Sequence, residues 1–315
     1  MAGKWTAEQM ESQAGKRAIV TGANIGLGFQ TARELARAGA QVVLACRSIE
    51  RGESAAARIR AEQPSAQVFV AHLDLSSLDS VRAFADTALA SGGALDILVN
   101  NAGIMALPQR KSTVDGFELQ MATNYLGHYA LTGLLLPLLL AASAPRVVSL
   151  SSNAHKRGKF YFDDLQLENG YTPWKAYSQT KLAMLVYARE LQRQSDAHGG
   201  NLVSVAAHPG LSTTAIARDT TGPAKYVIPL LFRFLGQSDA EGALPQLYAA
   251  TASVPDQVTP GGYYGPDGFS EFKGSPAPAK VSAEAQNPMN GRQLWSISER
   301  LTGVQYRWPD GERSA

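Results

Sequence analysis

The sequence predicts an α/β protein whose doubly wound, mostly parallel sheet of about seven strands carries helices on both faces. Short apolar runs rich in β-branched residues alternate with longer segments of helical periodicity, which is typical of parallel strands joined by crossover helices. A glycine-rich turn follows the first apolar run, and polar or small residues follow the later ones. Because ligands bind beyond the carboxyl ends of such strands, these residues are the candidates for a site.

The alternation of strand-like and helical segments is regular from residue 17 to residue 207. The predicted strands are residues 17–21, 41–46, 67–71, 95–99, 146–150 and 202–207. The predicted helices are residues 26–38, 50–63, 77–91, 116–142 and 177–197. After residue 251 the chain becomes rich in Gly and Pro, and residues 262–265 are predicted to form a last short strand.

Length and composition favour one elaborated domain rather than two. A chain of 315 residues with 45% hydrophobic and 18% charged residues can bury a large core. We expect a polar tail at residues 1–15, a dinucleotide-binding and catalytic domain at residues 16–265, and an irregular extension at residues 266–315.

Charge and cysteine content exclude several classes of function. The 29 Lys and Arg nearly balance the 27 Asp and Glu, and no basic run suggests nucleic acid. The five histidines are scattered, so no metal is predicted. Cys46 is the only cysteine, which excludes an internal disulfide and favours a reducing compartment, so we expect a cytoplasmic protein.

No transmembrane segment is predicted. Residues 1–15 are polar and lack the apolar core of a signal or anchor. Residues 131–142 are the most apolar stretch, but they are interrupted by Pro137 and are too short to span a bilayer. They are predicted to form a buried or interface helix.

The turn after the first strand has the physical properties of a pyrophosphate site. Gly22, Gly26 and Gly28 permit a tight turn, a close approach of the backbone to a ligand, and a helix N-terminus that faces negative charge. A plain strand-to-helix turn is the alternative. With the strand before it and the helix after it, the turn predicts a Rossmann-type dinucleotide fold.

The ends of strands two to four refine the cofactor prediction. Strand two ends in Arg47 where an NAD enzyme would carry an acidic residue, so a 2′-phosphate and NADP are favoured over a solvated surface arginine. Asp74 either lies beside the adenine or caps the next helix. Asn101, Ala102 and Gly103 follow strand four and either pack against the adenosine or stabilise the sheet.

Tyr177 and Lys181 are the strongest candidates for chemistry. They lie four residues apart at the head of a predicted helix, so the phenol and the ammonium share one face. The nearby ammonium and a bound nicotinamide are expected to lower the Tyr177 pKa for proton exchange. Tyr171 and Lys175 have the same spacing, but Pro173 between them argues against a helix there.

Together these motifs resemble the short-chain dehydrogenase/reductase family, in its retinol-dehydrogenase-like and protochlorophyllide-reductase-like branch. The resemblance covers roughly residues 16–265 and rests on the glycine turn, Asn100 to Gly103, Asn124, Ser151 and Ser152, the Tyr177 and Lys181 pair, and Pro209 and Gly210 with Thr214 beyond. It implies that Tyr177 is the general acid/base, that Lys181 binds the nicotinamide ribose, that Ser152 orients the carbonyl and that Asn124 supports a water relay.

Two of these assignments have alternatives. Ser151 also ends the fifth strand, and its side chain points to the opposite face from that of Ser152. Asn124 could be a purely structural, hydrogen-bonded residue.

The expected dinucleotide contacts extend along the whole row of strand ends. They are Gly22, Asn24, Ile25, Gly26, Leu27, Gly28, Arg47, Asp74, Leu75, Asn101, Ala102, Gly103, Tyr177, Lys181, Pro209, Gly210 and Thr214.

Two segments are expected to shape the substrate pocket. Residues 153–175 form a longer connection than many family members have, and they contain Lys156, Phe160, Tyr161, Phe162 and Trp174. They either line a wide apolar pocket or form a surface insertion. Residues 211–238 lie where the family places its substrate lid, and the apolar part at 226–235 is alternatively an interface or a membrane-surface contact.

The predicted function is hydride transfer between NADP(H) and a small apolar ketone, aldehyde or alcohol. Reduction of a conjugated C=C bond on the same scaffold and a non-catalytic NADP-binding scaffold are the alternatives. The expected lack of an N-terminal anchor argues against a retinoid, and the position of Cys46 in the cofactor strand argues against protochlorophyllide. The resemblance also implies a homodimer or homotetramer that pairs through the helices holding residues 131–140 and 177–191.

Overall fold

The sheet has the predicted doubly wound order. The computed structural model describes residues 4–211 and 237–308. Within them the strand order is β3-β2-β1-β4-β5-β6-β7-β8, and every pair is parallel except β7 with β8. The strands are β1 (Arg17–Thr21), β2 (Gln41–Cys46), β3 (Val68–His72), β4 (Ile97–Asn100), β5 (Arg146–Leu150), β6 (Val203–Ala207), β7 (Tyr263–Pro266) and β8 (Pro276–Pro278).

The helices follow the strands as the periodicity predicts. They are α1 (Gly26–Arg37), α2 (Ile49–Glu62), α3 (Leu78–Ala90), the single turn α4 (Leu119–Met121), α5 (Gly127–Leu134), α6 (Leu136–Leu140), α7 (Pro173–Ala197), α8 (Asp239–Thr251), α9 (Ala283–Gln286) and α10 (Pro288–Thr302). Hydroxyl or amide side chains cap the N-termini of α2, α3, α7, α8 and α10, because their oxygen atoms accept hydrogen bonds from the free amides of the first turn. These capping residues are Ser48, Ser77, Thr172, Ser238 and Asn287.

Two hydrophobic layers enclose the sheet. One joins α3, α5 and α7 to the strands through large buried side chains such as Phe84, Leu131 and Leu185. The other joins α1, α2 and α8 to the opposite face through Phe29, Ile59 and Leu247. Fully burying each such side chain contributes roughly 1.5–3 kcal/mol. The two layers fix the strand ends, and therefore the site, relative to one another.

The segment predicted as one helix at residues 116–142 is divided. Gly116 is in a turn with a φ of 83°, and the helix begins only at Leu119. A π-helical turn, Ala122–Leu126, follows, and Pro137 lies in the first turn of α6. Proline lacks an amide N–H and clashes with the preceding turn, so the division before α6 has a direct cause.

The prediction of an irregular extension after residue 265 is wrong for much of that segment. It contains β8, α9 and α10, and α10 packs on α7. Apolar residues at helical spacing, Leu294 and Trp295 with the buried Ser298 and Thr302, form the inner face of α10. The Pro- and Gly-rich residues before it hid this pattern.

The C-terminal segment covers the outer face of α5 and α7 with an aromatic cluster. Tyr125, Tyr129, Tyr187, Trp295 and Tyr306 are in ring contact, with centroids 4.5–6.3 Å apart. The Tyr306 hydroxyl donates to the Tyr129 carbonyl (2.8 Å) and lies 2.8 Å from the Tyr187 hydroxyl. The part of these helix faces that carries Tyr129 and Tyr187 is thus covered by the chain itself, and the expected pairing of subunits stays a prediction.

The N-terminal residues that the structure describes also touch the domain. Trp5 packs edge-on against Tyr248, with ring centroids 5.3 Å apart, and the Arg37 guanidinium donates to the Ala7 carbonyl. Over residues 4–211 and 237–308, none of the helices combines the length and the hydropathy needed to cross a bilayer.

Candidate active site

Helix α7 presents Tyr177 and Lys181 beside the end of β5. The helix begins at Pro173, four residues earlier than predicted, because proline suits the first helical position and Thr172 caps it. Lys181 Nζ donates to the Leu150 carbonyl (3.0 Å) and lies 5.8 Å from the centre of the Tyr177 ring. Both side chains are buried, at 9% and 6% exposure. The pair is therefore fixed at the carboxyl edge of the sheet.

Ser152, rather than Ser151, faces Tyr177. The Ser152 hydroxyl lies on the side of the Tyr177 hydroxyl and favours the ionised form of the phenol. Ser151 Oγ instead donates to the Lys181 carbonyl (2.7 Å) inside the protein. The alternation of side chains along an extended strand end accounts for this division of roles.

Burial dominates the ionisation of both α7 groups. It raises the pKa of Tyr177, and the Ser152 hydroxyl offsets this only in part. It lowers the pKa of Lys181 from 10.5 to about 8. In the protein alone Lys181 directs its ammonium toward Leu150, and loss of water opposes phenolate formation. The lowering of the Tyr177 pKa that is expected with bound nicotinamide stays a prediction.

Asn124 holds the site together through its side chain. Its Oδ1 accepts from the Ile104 amide (2.8 Å), and its Nδ2 donates to the Ile104 carbonyl (2.9 Å) and to Thr180 Oγ1 (3.0 Å). These bonds join the turn after β4 to α7. Asn124 therefore has the structural, hydrogen-bonded role that was the alternative to a water relay. Its backbone carbonyl pairs with His128 Nδ1 at 2.9 Å. The water relay stays a prediction.

Tyr171 and Lys175 do not form a second pair. The Tyr171 hydroxyl donates to the Leu107 carbonyl (2.9 Å) and accepts from Gln120 Nε2 (3.0 Å). Lys175 instead lies over the ring of Tyr161, 3.9 Å from its centre. Tyr171 has a structural role in the loop before α7.

The glycine turn fits a phosphate group. Gly22 and Gly26 have φ values of 65° and 62°, which favour glycine. A Cβ at Gly28 would lie 2.6 Å from the Gly22 carbonyl oxygen, so only glycine allows this close approach of turn and helix. The turn leads into the N-terminus of α1, whose amide groups favour an anion.

A cavity of about 310 Å³ extends from this turn along the strand ends. It is lined by twelve of the expected cofactor residues, namely Gly22, Asn24, Ile25, Gly26, Leu27, Gly28, Arg47, Asp74, Leu75, Asn101, Ala102 and Gly103. Ser48 and Arg51 also line it. The sequence does not predict Arg51 as a cofactor residue, because it lies one helical turn beyond Arg47, inside α2 rather than at the strand end. Two guanidinium groups and a hydroxyl suit a 2′-phosphate.

The polar residues of this cavity are held by the protein itself. Asp74 Oδ1 accepts from Ser76 N (2.9 Å) and Ser76 Oγ (2.6 Å), and Ser77 rather than Asp74 caps α3. Asn101 Nδ2 donates to the Thr21 carbonyl (2.7 Å). The Asn101 and Ala102 amides both donate to Thr21 Oγ1 at 2.9 Å. The turn after β4 is therefore tied to β1.

A second, larger cavity of about 1130 Å³ adjoins Tyr177. Ser152, Pro209 and Gly210 line it, and Trp174 packs edge-on against Tyr177 with ring centroids 5.9 Å apart. Thr214 and most of the expected lid lie outside the described residues. Lys181 lines neither cavity but lies just behind the wall, since a Cβ at Gly103 would be 3.4 Å from its Nζ.

The connection at residues 153–175 lines the large cavity only at its two ends. Lys156 and Trp174 reach the cavity among the five residues singled out in the sequence. Phe160 and Phe162 stack on each other, 4.9 Å apart, and pack against the core. Of the two expectations for this loop, lining of the pocket therefore holds only for its two ends.

The opposite wall comes from residues that sequence reasoning assigned to an irregular tail. Glu271, Phe272 and Val281 of that segment line the cavity, together with Leu211 of the expected lid and Met105. Only the Phe and Gly content near residue 270 hinted at a pocket-forming loop.

Comparison with known proteins identifies the family of this chain. The family model described as short chain dehydrogenase matches residues 16–223. Retinol dehydrogenase 12 of Mus musculus is 42% identical over 295 residues, which are 93% of this chain and 88% of that protein. Polyprenol dehydrogenase of Mus musculus is 42% identical over 300 residues, 93% and 85% of the two chains.

Solved structures show the same fold. An uncharacterized protein from Mycobacterium paratuberculosis has a TM-score of 0.79 and 41% identity, with 97% of this chain and 100% of that chain covered. A short-chain dehydrogenase from Shigella flexneri, solved in complex with NADP, has a TM-score of 0.62 at 22% identity, with coverage of 81% and 98%. The chain belongs to the short-chain dehydrogenase family, whose members are oxidoreductases that use a nicotinamide cofactor, and within that family to the retinol-dehydrogenase-like branch.

Proposed function

We propose that this chain is an NADP-dependent oxidoreductase that moves a hydride between nicotinamide and an apolar ketone, aldehyde or alcohol, with Tyr177 as general acid/base. The observation that carries the proposal is that the Ser152 and Tyr177 side chains come together at the wall of the 1130 Å³ cavity. Lys181 lies one helical turn away. Carbonyl reduction needs a proton source, a donor to the developing oxyanion and a nearby positive charge, and these three side chains provide them.

Tyr177 would donate its proton to the oxygen of the carbonyl during reduction. Because burial raises its pKa, the phenol is protonated at neutral pH and is ready to act as an acid. Ser152 would donate a hydrogen bond to the same oxygen as negative charge grows there. The Lys181 ammonium would stabilise the phenolate that remains. Bound nicotinamide supplies the hydride and, once oxidised, a second positive charge.

Arg47 and Arg51 would select NADP. Both line the smaller cavity at the end of β2, where Ser48 adds a hydroxyl. Guanidinium groups bind phosphate through paired, charge-assisted hydrogen bonds, whereas a 2′-hydroxyl offers them no negative charge. The acidic residue that binds the ribose hydroxyls of NAD is missing from this strand end.

The apolar side of the large cavity favours an extended hydrophobic substrate. Met105, Trp174, Leu211, Phe272 and Val281 line it. Two of the similar proteins are named as dehydrogenases of retinol and of polyprenol, which are both isoprenoid alcohols. We therefore propose isoprenoid alcohols and aldehydes as the first substrates to test.

The single, buried Cys46 supports a cytoplasmic location.

The test is NADPH oxidation with all-trans-retinal, an aliphatic aldehyde, a ketone and an enone, followed by product analysis. We expect the carbonyl to become an alcohol. The Tyr177→Phe variant should lose at least about 100-fold in kcat while the NADPH Kd changes by less than about threefold. Retained turnover in that variant would contradict the role of Tyr177.

Two other outcomes would assign the alternatives. A saturated ketone formed from the enone would indicate a double-bond reductase. NADPH binding without oxidation across the whole panel would indicate a scaffold protein.

A further inference from the structure

The loop between β7 and β8, residues 267–275, forms a wall of the large cavity that joins two separate strand ends. One is the end of β5, where Ser152 begins a short 3-10 turn, Asn153–Arg157. The other is the end of β6, where His208 precedes Pro209 and Gly210. The loop contacts both, and its contacts converge on Glu271.

The Glu271 carboxylate has partners on three elements. Its Oε2 accepts from Lys156 Nζ (2.7 Å) and lies 3.3 Å from His208 Nε2. Its Oε1 accepts from the Lys280 amide (3.0 Å), just beyond β8. Burial alone would raise the pKa of Glu271, but these hydrogen bonds outweigh it and hold the pKa at about 2, so the group is a carboxylate at neutral pH.

His208 is fixed in one orientation between the Gly210 turn and the Glu271 carboxylate. Its Nδ1 accepts from the Gly210 amide (3.2 Å), which leaves the proton on Nε2, and Nε2 lies 3.3 Å from the Glu271 carboxylate. A Cβ at Gly265 would lie 2.6 Å from His208 Cε1, so the ring has no room to move toward β7. Through His208, the carboxylate holds the turn that carries Pro209 and Gly210.

The backbone of the loop is held in a strained conformation. Ser270 and Glu271 have φ values of 52° and 57°, which non-glycine residues rarely adopt. Asn153 Nδ2 donates to the Ser270 and Glu271 carbonyls (3.3 and 3.2 Å), and the Leu211 amide donates to the Phe272 carbonyl (2.8 Å). Strain of this kind persists where the surroundings fix the backbone, and it concentrates at functional sites.

We propose that Glu271 is a positioning residue of the active site, which sets the separation between the wall that carries Ser152 and the turn that carries Pro209 and Gly210. This inference rests on the proposed function, because it assigns these two walls to the substrate and the nicotinamide. Glu271 touches neither reacting group. It acts through Lys156, His208 and Asn153.

The consequence is a defect confined to the reacting end of the site. Without the carboxylate the two walls move independently, and a carbonyl is held less well against Tyr177. The cavity that contains the glycine turn and Arg47 has no contact with Glu271 and keeps its shape. Turnover should therefore suffer more than dinucleotide affinity.

The test compares Glu271→Gln with the wild type and with Glu168→Gln, which removes an exposed carboxylate elsewhere. We expect Glu271→Gln to lower kcat about tenfold, because small misplacements of reacting groups have effects of this size, with the NADPH Kd unchanged within about threefold. Hydrogen exchange should become faster in residues 153–157 and 208–211 in the Glu271 variant and stay unchanged in the Glu168 variant. Lys156→Met, which leaves the His208 contact, should show a weaker form of both changes and serves if Glu271→Gln does not fold.

Unchanged kcat and unchanged exchange in Glu271→Gln would overturn the proposal. So would a lower Tm with normal kcat, which would indicate a structural role alone. If the wild type binds NADPH but reduces none of the carbonyls, the proposed function fails instead. Exchange at residues 208–211 and 153–157 still decides whether Glu271 organises the two walls.

Discussion

Ser151 and Ser152 direct their hydroxyl groups to opposite sides of the end of β5. Ser152 meets Tyr177 in the large cavity, whereas Ser151 donates to the carbonyl of Lys181 inside the protein. Ser152 therefore has the chemical role and Ser151 a structural one. Each hydroxyl group can be removed by mutation without loss of the other.

We expect Ser152→Ala to lower kcat by about 100-fold or more, as removal of an oxyanion donor does in other enzymes. Ser151→Ala should instead cost about 1 kcal/mol of unfolding free energy, because a buried hydrogen bond is lost. The measurements are steady-state kinetics with the best carbonyl substrate and urea denaturation of both variants. Equal losses of kcat in the two variants would show that the assignment of the hydroxyl groups is wrong.

Arg47 and Arg51 should contribute separately to cofactor choice. Each change to Ala should lower the NADP over NAD preference about tenfold, since each guanidinium makes charge-assisted bonds to phosphate. Arg58→Ala, also in α2 but packed over Phe29, is the matched control. The ratio of kcat/KM for NADPH and NADH checks this. If the preference for NADP over NAD is unchanged in both variants, the assignment of Arg47 and Arg51 to the 2′-phosphate is wrong.

Lys181→Met should stabilise the protein while it abolishes turnover. Burial lowers the pKa of Lys181 to about 8, so keeping this group charged opposes folding at neutral pH. The penalty is fully present below pH 8 and disappears as the pH rises toward 10.5, where the unfolded lysine also loses its proton. After loss of the Leu150 hydrogen bond, the net gain at pH 7 is about 1–2 kcal/mol. Urea denaturation of the protein without NADPH from pH 7 to 10.5 measures it, and a gain that grows with pH would contradict this reasoning.

The C-terminal segment should be essential to stability. Tyr306→Ala removes a ring from the aromatic cluster and two hydrogen bonds, so we expect a loss of about 3–5 kcal/mol. Tyr161→Ala, at an exposed ring, should cost less than about 1 kcal/mol. Light scattering of the wild type shows whether the protein is a dimer, and cross-linking shows which helices pair. A dimer cross-linked through α5 and α7 would show that the C-terminal segment does not cover those helices in solution.

The sequence predicted six strands, from β1 to β6, to within two residues, because buried parallel strands are continuous apolar runs bounded by turn residues. It also brought Tyr177, Lys181 and the glycine turn to one edge of the sheet. It could not show the direction of the Tyr177 pKa shift, which depends on burial and on the partner of Lys181. Nor could it find Arg51, Glu271 or α10, whose placement depends on tertiary contacts rather than on a local pattern.

Strand β8 has a consequence for the behaviour of the molecule at high concentration. It is three residues long, lies at the outer edge of the sheet, and begins and ends with proline. Proline has no amide hydrogen, so this margin offers almost no donors to an incoming strand from another molecule. The closing strand therefore protects this edge of the sheet, though not the β3 edge, against edge-to-edge aggregation.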